Sequence, residues 1–325
     1  MKNPFSATLQ GLLDLRSTAG RVPPLRRDER LDGRTALVTG ANRGLGLAVC
    51  VALARRGARV IMACRSGIPE AGDIVRRRSE SVAVEMRQVD LADLDSVSSL
   101  CDGLARDGVR VDLLVLNAGI VPREARRTTQ GLELMFQVNF LANVALVERL
   151  LADGVVPQSA DAAPLPRIVF VSSDTHRGAG PVDFDHFGNY QPYGPIAGVR
   201  VYGYTKLLMS VYAGHLARRL DGRAAVHQCC PGAVNSDIAR EAPSWMKPLL
   251  GVVMSAFFRS PEDAATTVEY LACAKDLEQQ TGCYLHILTR KDPDPACADA
   301  EVGARLLAAS RELLAHLPRP EQSPR

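Results

Sequence analysis

The chain has eight cysteines in 325 residues but no Cys-x-x-Cys pair. Its six histidines are scattered, so no metal-ligand cluster forms along the sequence and no metal is expected. Cys50, Cys64, Cys101, Cys229 and Cys230 lie in apolar runs, which reads as buried free thiols in a reducing compartment. No apolar run reaches the ~18 residues of a membrane span. The first residues also lack the basic, apolar, small-residue order of a signal peptide. A cytoplasmic location is expected, with peripheral membrane association as the alternative. Lysine is scarce, with five residues against many arginines. The net charge of +3 is small and dispersed, which argues against a nucleic-acid partner.

What is present is a soluble composition, 46% hydrophobic and 23% charged, enough to bury a core without staples. Short apolar runs alternate with helical patterns. Strands are expected at 35–40, 58–64, 82–90, 111–117, 166–173, 224–230 and 283–287. Helices are expected at 45–57, 66–79, 93–106, 131–151, 198–220, 261–275 and 299–316. Continuously apolar strands alternating with helices mean an α/β protein with a parallel sheet covered on both faces. No linker splits the pattern. The expected organisation is an N-terminal extension over 1–30, one domain over 31–317 and a disordered tail over 318–325. The stretch ATLQGLLDL (7–15) is weakly amphipathic, either a docking helix or a surface membrane anchor.

Gly40, Gly44 and Gly46 lie on the turn between the first strand and the first helix. Glycines there let the backbone approach a pyrophosphate, which a helix N-terminus favours. Gly-x-x-x-Gly-x-Gly is not the commonest dinucleotide spacing, and a tight turn alone also selects glycine. An NAD site usually places an acid at the end of the second strand. This chain has Cys64 there, followed by Arg65, and Arg43 stands in the turn. Two guanidiniums suit a 2′-phosphate bidentately, so NADP is expected rather than NAD. The bland reading is that both are solvated surface arginines.

TGANRGLG (39–46), NAG (117–119), Tyr202-x-x-x-Lys206 and PGAVNS (231–236) together resemble the short-chain dehydrogenase/reductase superfamily, in its order and spacing. ACRS (63–66), SSDTHR (172–177) and ARLLAASRELL (304–314) are similar to its retinol dehydrogenase and WW-domain oxidoreductase branch. The resemblance implies a Rossmann-type doubly wound parallel sheet of about seven strands in a single domain. It also implies an NADP(H)-dependent oxidoreductase interconverting a carbonyl and its alcohol. Tyr202 would be the general acid/base, Lys206 its partner and a ligand of the nicotinamide ribose, Ser173 a second hydroxyl donor and Asn139 the holder of a relay water. For the cofactor it implies the turn residues Gly40, Asn42, Gly44, Leu45 and Gly46, Arg43 and Arg65 at the 2′-phosphate, and Asp90 and Leu91 at the adenine. Asn117, Ala118 and Gly119 would pass near the adenosine ribose, and Pro231, Gly232, Val234 and Ser236 would line the nicotinamide. The family usually has Thr where Ser236 stands. A homodimer or homotetramer through 131–151 and 198–220 is also implied.

The residues can be read on their own account as well. A helix turns ~100° per residue, so Tyr202 and Lys206 lie about 40° apart while Tyr204 and Lys206 lie about 200° apart. Lys206 can therefore act on Tyr202 and not easily on Tyr204. An ammonium beside a phenol is expected to lower its pKa and make it a better acid/base. Thr205 reads as helix filling and Tyr204 as a packing or substrate-side residue. Alternation puts Ser172 and Ser173 on opposite faces without saying which face meets a cofactor. Asn143 shares Asn139's helix face as its rival. His176 and Arg177 fit either a substrate entrance or an ordinary loop. The apolar segment 243–263 fits a lipophilic pocket, a membrane-touching lid or a core helix, and a lipophilic aldehyde or ketone is the expected substrate. The alternative is an NADP-binding regulatory or scaffold protein without turnover.

Overall fold

The computed structural model describes residues 20–159, 164–234 and 259–317. Ser236, the amphipathic stretch 7–15, the tail 318–325 and most of the apolar segment 243–263 lie outside the described residues.

Among the described residues eight strands form one sheet: β1 (Thr35–Thr39), β2 (Arg59–Cys64), β3 (Val84–Gln88), β4 (Leu113–Leu116), β5 (Arg167–Val171), β6 (Ala225–Cys230), β7 (Tyr284–His286) and β8 (Thr289–Arg290). Their order is β3-β2-β1-β4-β5-β6-β7-β8; all pairings are parallel except β7 with β8. The expectation of about seven strands missed β8, a two-residue antiparallel return that carries no periodicity of its own. Gly20 and Val22 extend that edge, with Val22 N–H donating to Leu288 O at 2.8 Å and Arg290 N–H to Gly20 O at 2.9 Å. Residues 20–31, expected largely as a lead-in, thus pack on the domain, with Leu31 in its core and Glu29 buried.

Among the described residues seven helices cover the sheet: α1 (Gly44–Arg55), α2 (Glu70–Ser79), α3 (Leu94–Arg106), α4 (Leu134–Ala152), α5 (Pro195–Arg219), α6 (Pro261–Cys273) and α7 (Ala300–His316). Side chains that satisfy free N–H groups start several of them: Asp93 caps α3, Ser260 caps α6 with Pro261 following, and Asp299 caps α7. Gly57 sits at φ +94° just beyond α1, as its place at the end of the helical pattern predicts. Two apolar layers result, one on each face of the sheet. The helix α4 is long and apolar enough to cross a membrane, but 78% of its most apolar window is buried, which marks it as a core helix.

From Thr205 to Ala217 no residue of α5 is exposed, and α7 packs on this part of it. Two glycines mark close packing on α5, Gly214 against the turn that precedes α7 and Gly303 on α7 itself. A Cβ on Gly214 would stand 2.2 Å from Cys297 O, and one on Gly303 would stand 2.8 Å from His215 Cβ. Charge then locks the layers: Glu148 of α4 accepts from Tyr212 Oη (2.8 Å) and Arg219 Nη1 (3.0 Å) of α5 and from Arg311 Nη2 (2.6 Å) of α7. Burial pushes the Glu148 pKa up, but these donors outweigh it and hold it below the usual carboxylate value. α7 thus packs against both α4 and α5.

Gly214→Ala should cost about 1–3 kcal/mol in urea unfolding, because a backbone carbonyl must give way. The lowered Glu148 pKa stabilises the fold above the unfolded value of ~4.5 and loses that contribution as pH falls through the folded value. Wild type should therefore lose more stability in that window than Glu148→Gln, measured by thermal unfolding across pH.

Candidate active site

The C-terminal ends of the parallel strands share one edge, and there the chain turns into loops that carry the expected residues. The order of the sheet reverses between β1 and β4, which opens a crevice at that edge. The glycine turn after β1 fills one side of it. Gly40 is at φ +64° and Gly44 at φ +51°; a Cβ on Gly46 would lie 2.2 Å from Gly40 O. Only glycine lets the helix start so close to the strand. Asn117, just after β4, holds the turn from the other side, donating through Nδ2 to Thr39 O at 2.9 Å and to Gly40 O at 3.2 Å. Thr39 Oγ1 in return accepts from the Asn117 and Ala118 N–H groups at 3.1 Å.

Around this turn, Asn42 Nδ2 reaches Ser66 Oγ at 3.4 Å, which ties the turn to the segment after β2. Cys64 ends β2 with its side chain buried, whereas Arg43 is exposed and the Arg65 side chain is 70% exposed. Arg65 Nη1 lies 3.6 Å from Asp90 Oδ2. Asp90 also accepts from Ala92 N–H at 2.9 Å, and Leu91 is buried beside it. Leu45 is half-buried at the start of α1.

The second group lies between β4, β5 and β6. The buried Asn139 amide is locked to Ile120, accepting from its N–H at 2.8 Å and donating to its O at 3.0 Å. Lys206, 2% exposed, donates from Nζ to Val171 O at 2.8 Å. A Cβ on Gly119 would be 3.5 Å from both Asn139 Oδ1 and Lys206 Nζ, so the glycine of NAG keeps these two apart by little more than its own backbone. Lys206 Nζ is 5.7 Å from the centroid of the Tyr202 ring, and the Ser173 hydroxyl lies beside the Tyr202 hydroxyl. Asn139, Ser173, Tyr202 and Lys206, separated by up to 67 positions in sequence, thus form one cluster.

Helix geometry sorts the two tyrosines as expected. Tyr204 points away, its Oη accepting from Asp183 N–H at 3.1 Å. Ser172 is also elsewhere, buried and paired with Ser210 Oγ at 2.7 Å. Asn143 is not Asn139's rival but its support. The backbone makes a π-turn over Gln137–Leu141, and Asn143 Nδ2 donates to the loosened Val138 and Asn139 carbonyls at 3.1 Å each. His176 is buried, so it belongs to the loop rather than to an entrance, and Arg177 pairs with Asp174 at 2.8 Å.

One expectation is overturned. Burial pushes the Tyr202 pKa up, helped by the neighbouring Cys230 thiol, and the Ser173 hydrogen bond only partly offsets this. The expected lowering by Lys206 fails for two reasons. Its ammonium, 5.7 Å from the ring centroid, makes its hydrogen bond to the Val171 carbonyl instead, and burial lowers the lysine's own pKa to about 8. Local spacing shows which residues share a face, but not how dry that face is.

Two contributors escaped the sequence reading. Thr205 Oγ1 accepts from Asn139 Nδ2 at 3.2 Å and donates to Tyr202 O at 2.9 Å, linking the two helices that carry the cluster. Arg259 secures the segment after β6: its N–H donates to Ala233 O at 2.8 Å and its Nη1 to Pro231 O at 2.9 Å, with Val234 bridged to it. Gly232, at φ +85°, packs with its Cα hydrogens toward Arg259 and Ile287. The position of Thr205 beside Lys206 was a usable hint; nothing local marks Arg259.

The model for the short chain dehydrogenase family matches residues 34–191. The chain is 34% identical over 324 residues to retinol dehydrogenase 14 of Homo sapiens, covering 92% of this chain and 94% of that protein. It is 32% identical over 302 residues to the WW domain-containing oxidoreductase of Drosophila melanogaster, covering 90% of this chain and 71% of that protein. Among solved structures, an uncharacterized protein from Mycobacterium Paratuberculosis superposes with a TM-score of 0.67 at 27% identity, covering 91% of this chain and all of that one.

Lys206 should titrate near pH 8 in a nitrogen-15 lysine NMR series. A value above 10 would mean that the ammonium is hydrated and the cluster more open than described.

Proposed function

We propose, from the premise that this chain belongs to the short-chain dehydrogenase/reductase family, that it is an NADP(H)-dependent oxidoreductase that reduces a lipophilic aldehyde or ketone to its alcohol, or runs the reverse reaction. The observation that carries this reading is the convergence of Ser173, Tyr202, Lys206 and Asn139 at the mouth of the crevice flanked by the glycine turn.

The crevice fits a dinucleotide in its chemistry. The cradle between Gly40 and Gly46 would be filled by any side chain at Gly46, and the start of α1 favours an anion there. Arg43 and Arg65 are exposed beside it, and the buried Cys64 stands where an acid would repel a 2′-phosphate. Lys206, with one donor bond to Val171 O, would hold the nicotinamide ribose. Pro231, Gly232 and Val234 would line the ring, with Ser236 following them. When bound, the nicotinamide supplies or accepts the hydride.

The chain's own part is proton transfer and orientation. With its pKa raised, Tyr202 keeps its proton at neutral pH, which is the form needed to donate to a carbonyl oxygen as negative charge develops there. Ser173, beside that hydroxyl, would supply the second donor to the same oxygen. Lys206 and Asn139, on either side of Gly119, would return a proton through a water held by Asn139. The retinol dehydrogenase relatives support an apolar substrate, as does the apolar composition of 243–258.

Tyr202→Phe should lower NADPH oxidation with apolar aldehydes such as decanal or all-trans-retinal by about a thousandfold, within the range of general acid catalysis plus lost orientation. Tyr204→Phe should keep most of it. An unchanged rate in Tyr202→Phe, or tight NADPH binding with no aldehyde turned over, would favour a binding protein instead. Arg43→Ala and Arg65→Ala should each raise KM for NADPH far more than for NADH; equal effects would remove the 2′-phosphate assignment.

A further inference from the structure

The turn that follows β5 has a feature that the proposed chemistry leaves unused. His176 is fully buried, yet both of its ring nitrogens are bonded to backbone. Nδ1 lies 2.7 Å from Ser173 O, and Nε2 accepts the Asp294 N–H at 3.0 Å. A backbone N–H can only donate and a carbonyl can only accept, so the pair dictates the Nδ1-protonated neutral ring. Ser173 O also accepts the His176 N–H at 3.1 Å. One residue thus saturates the carbonyl of the serine whose hydroxyl meets Tyr202.

The same turn touches the cluster at its other end. Thr175 Oγ1 donates to Ser173 Oγ at 3.0 Å, and a Cβ on Gly203, next to Tyr202, would stand 3.0 Å from Thr175 O. The imidazole is wedged edge-on against Tyr284, with ring centroids 5.5 Å apart. Its far partner, Asp294, caps the short turn Pro295–Cys297 with Oδ1, and Cys297 O is the atom packed against Gly214 of α5. A rigid path therefore runs from the helix that carries Tyr202, through the 294–297 turn and the His176 ring, to the backbone of Ser173.

We propose that His176 is a positioning residue, whose neutral ring braces the Ser173 carbonyl against the Asp294 backbone and so sets the Ser173 hydroxyl at its distance from Tyr202. The inference rests on the reading of Ser173 and Tyr202 as the donors to the substrate oxygen. His176 itself touches no reacting atom. Its loss should act on kcat, because a hydroxyl displaced by a fraction of an ångström weakens transition-state contacts more than binding.

Two single variants separate the ring's two bonds. Asn at this position keeps a donor near the Nδ1 site, and Gln keeps an acceptor near the Nε2 site. NADPH oxidation with the apolar aldehydes above should fall by about 10–100-fold in kcat for His176→Gln, with the dissociation constant for NADPH unchanged. His176→Asn should recover most of that loss. In a Ser173→Ala background, His176→Gln should cause little further loss, because the serine it positions is gone. A full additional 10-fold or greater loss in that background would overturn the inference. So would an unchanged kcat in folded His176→Gln, or equal losses in the Asn and Gln variants that follow their thermal stability. If Ser173→Ala alone leaves kcat intact, the reading of the donors fails instead.

Discussion

A dry ammonium is the constraint on which the candidate site depends. Lys206 is 2% exposed and gives its one described strong hydrogen bond to the Val171 carbonyl at 2.8 Å. Burying a cation without a carboxylate is costly, and the fall of its pKa to about 8 expresses that cost. The surroundings tolerate it because they are built of backbone carbonyls, an amide and a phenol ring rather than other cations. Asn139 and Lys206 both approach the Gly119 Cα, where an added Cβ would just touch each at 3.5 Å, and Ile120 holds the Asn139 amide in place. The π-turn in α4, kept open by Asn143, sets Asn139 at that depth.

The other half of the crevice rests on an amide too. Asn117 spans from the end of β4 to the carbonyls of Thr39 and Gly40, so the glycine turn is not a free loop. A rigid cradle lowers the entropy lost on binding. Its charge is supplied at the rim, where Arg43 and Arg65 are exposed, and not inside. The Arg65–Asp90 pair at 3.6 Å is exposed and weak, so it leaves Arg65 available to a stronger anion.

Packing behind the site is unusual in what covers α5. Close contacts at Gly214 and Gly303, and the Glu148 carboxylate shared by three donors, bring α7 over the helix that carries Tyr202 and Lys206. That helix is thus held from the sheet side and from the outside by one chain. The path through Cys297, Asp294 and His176 joins this outer layer to Ser173.

The α/β pattern, the glycine turn, the choice of Tyr202 over Tyr204 and the family resemblance were all legible in the sequence. Each depends on neighbours a few residues apart, or on motifs kept in order along the chain. Periodicity located seven of the eight strands, but β8 is too short to show any. Other matters were settled only by the fold. Lys206 and Asn139 meet across Gly119, Thr205 joins Asn139, and Arg259 braces Pro231 from 28 positions away. The direction of the Tyr202 shift also belongs here, since desolvation is set by what packs around a group and not by its nearest neighbours in sequence. Sequence carries the periodicity of a face; only tertiary contact decides what lies against it and how much water remains.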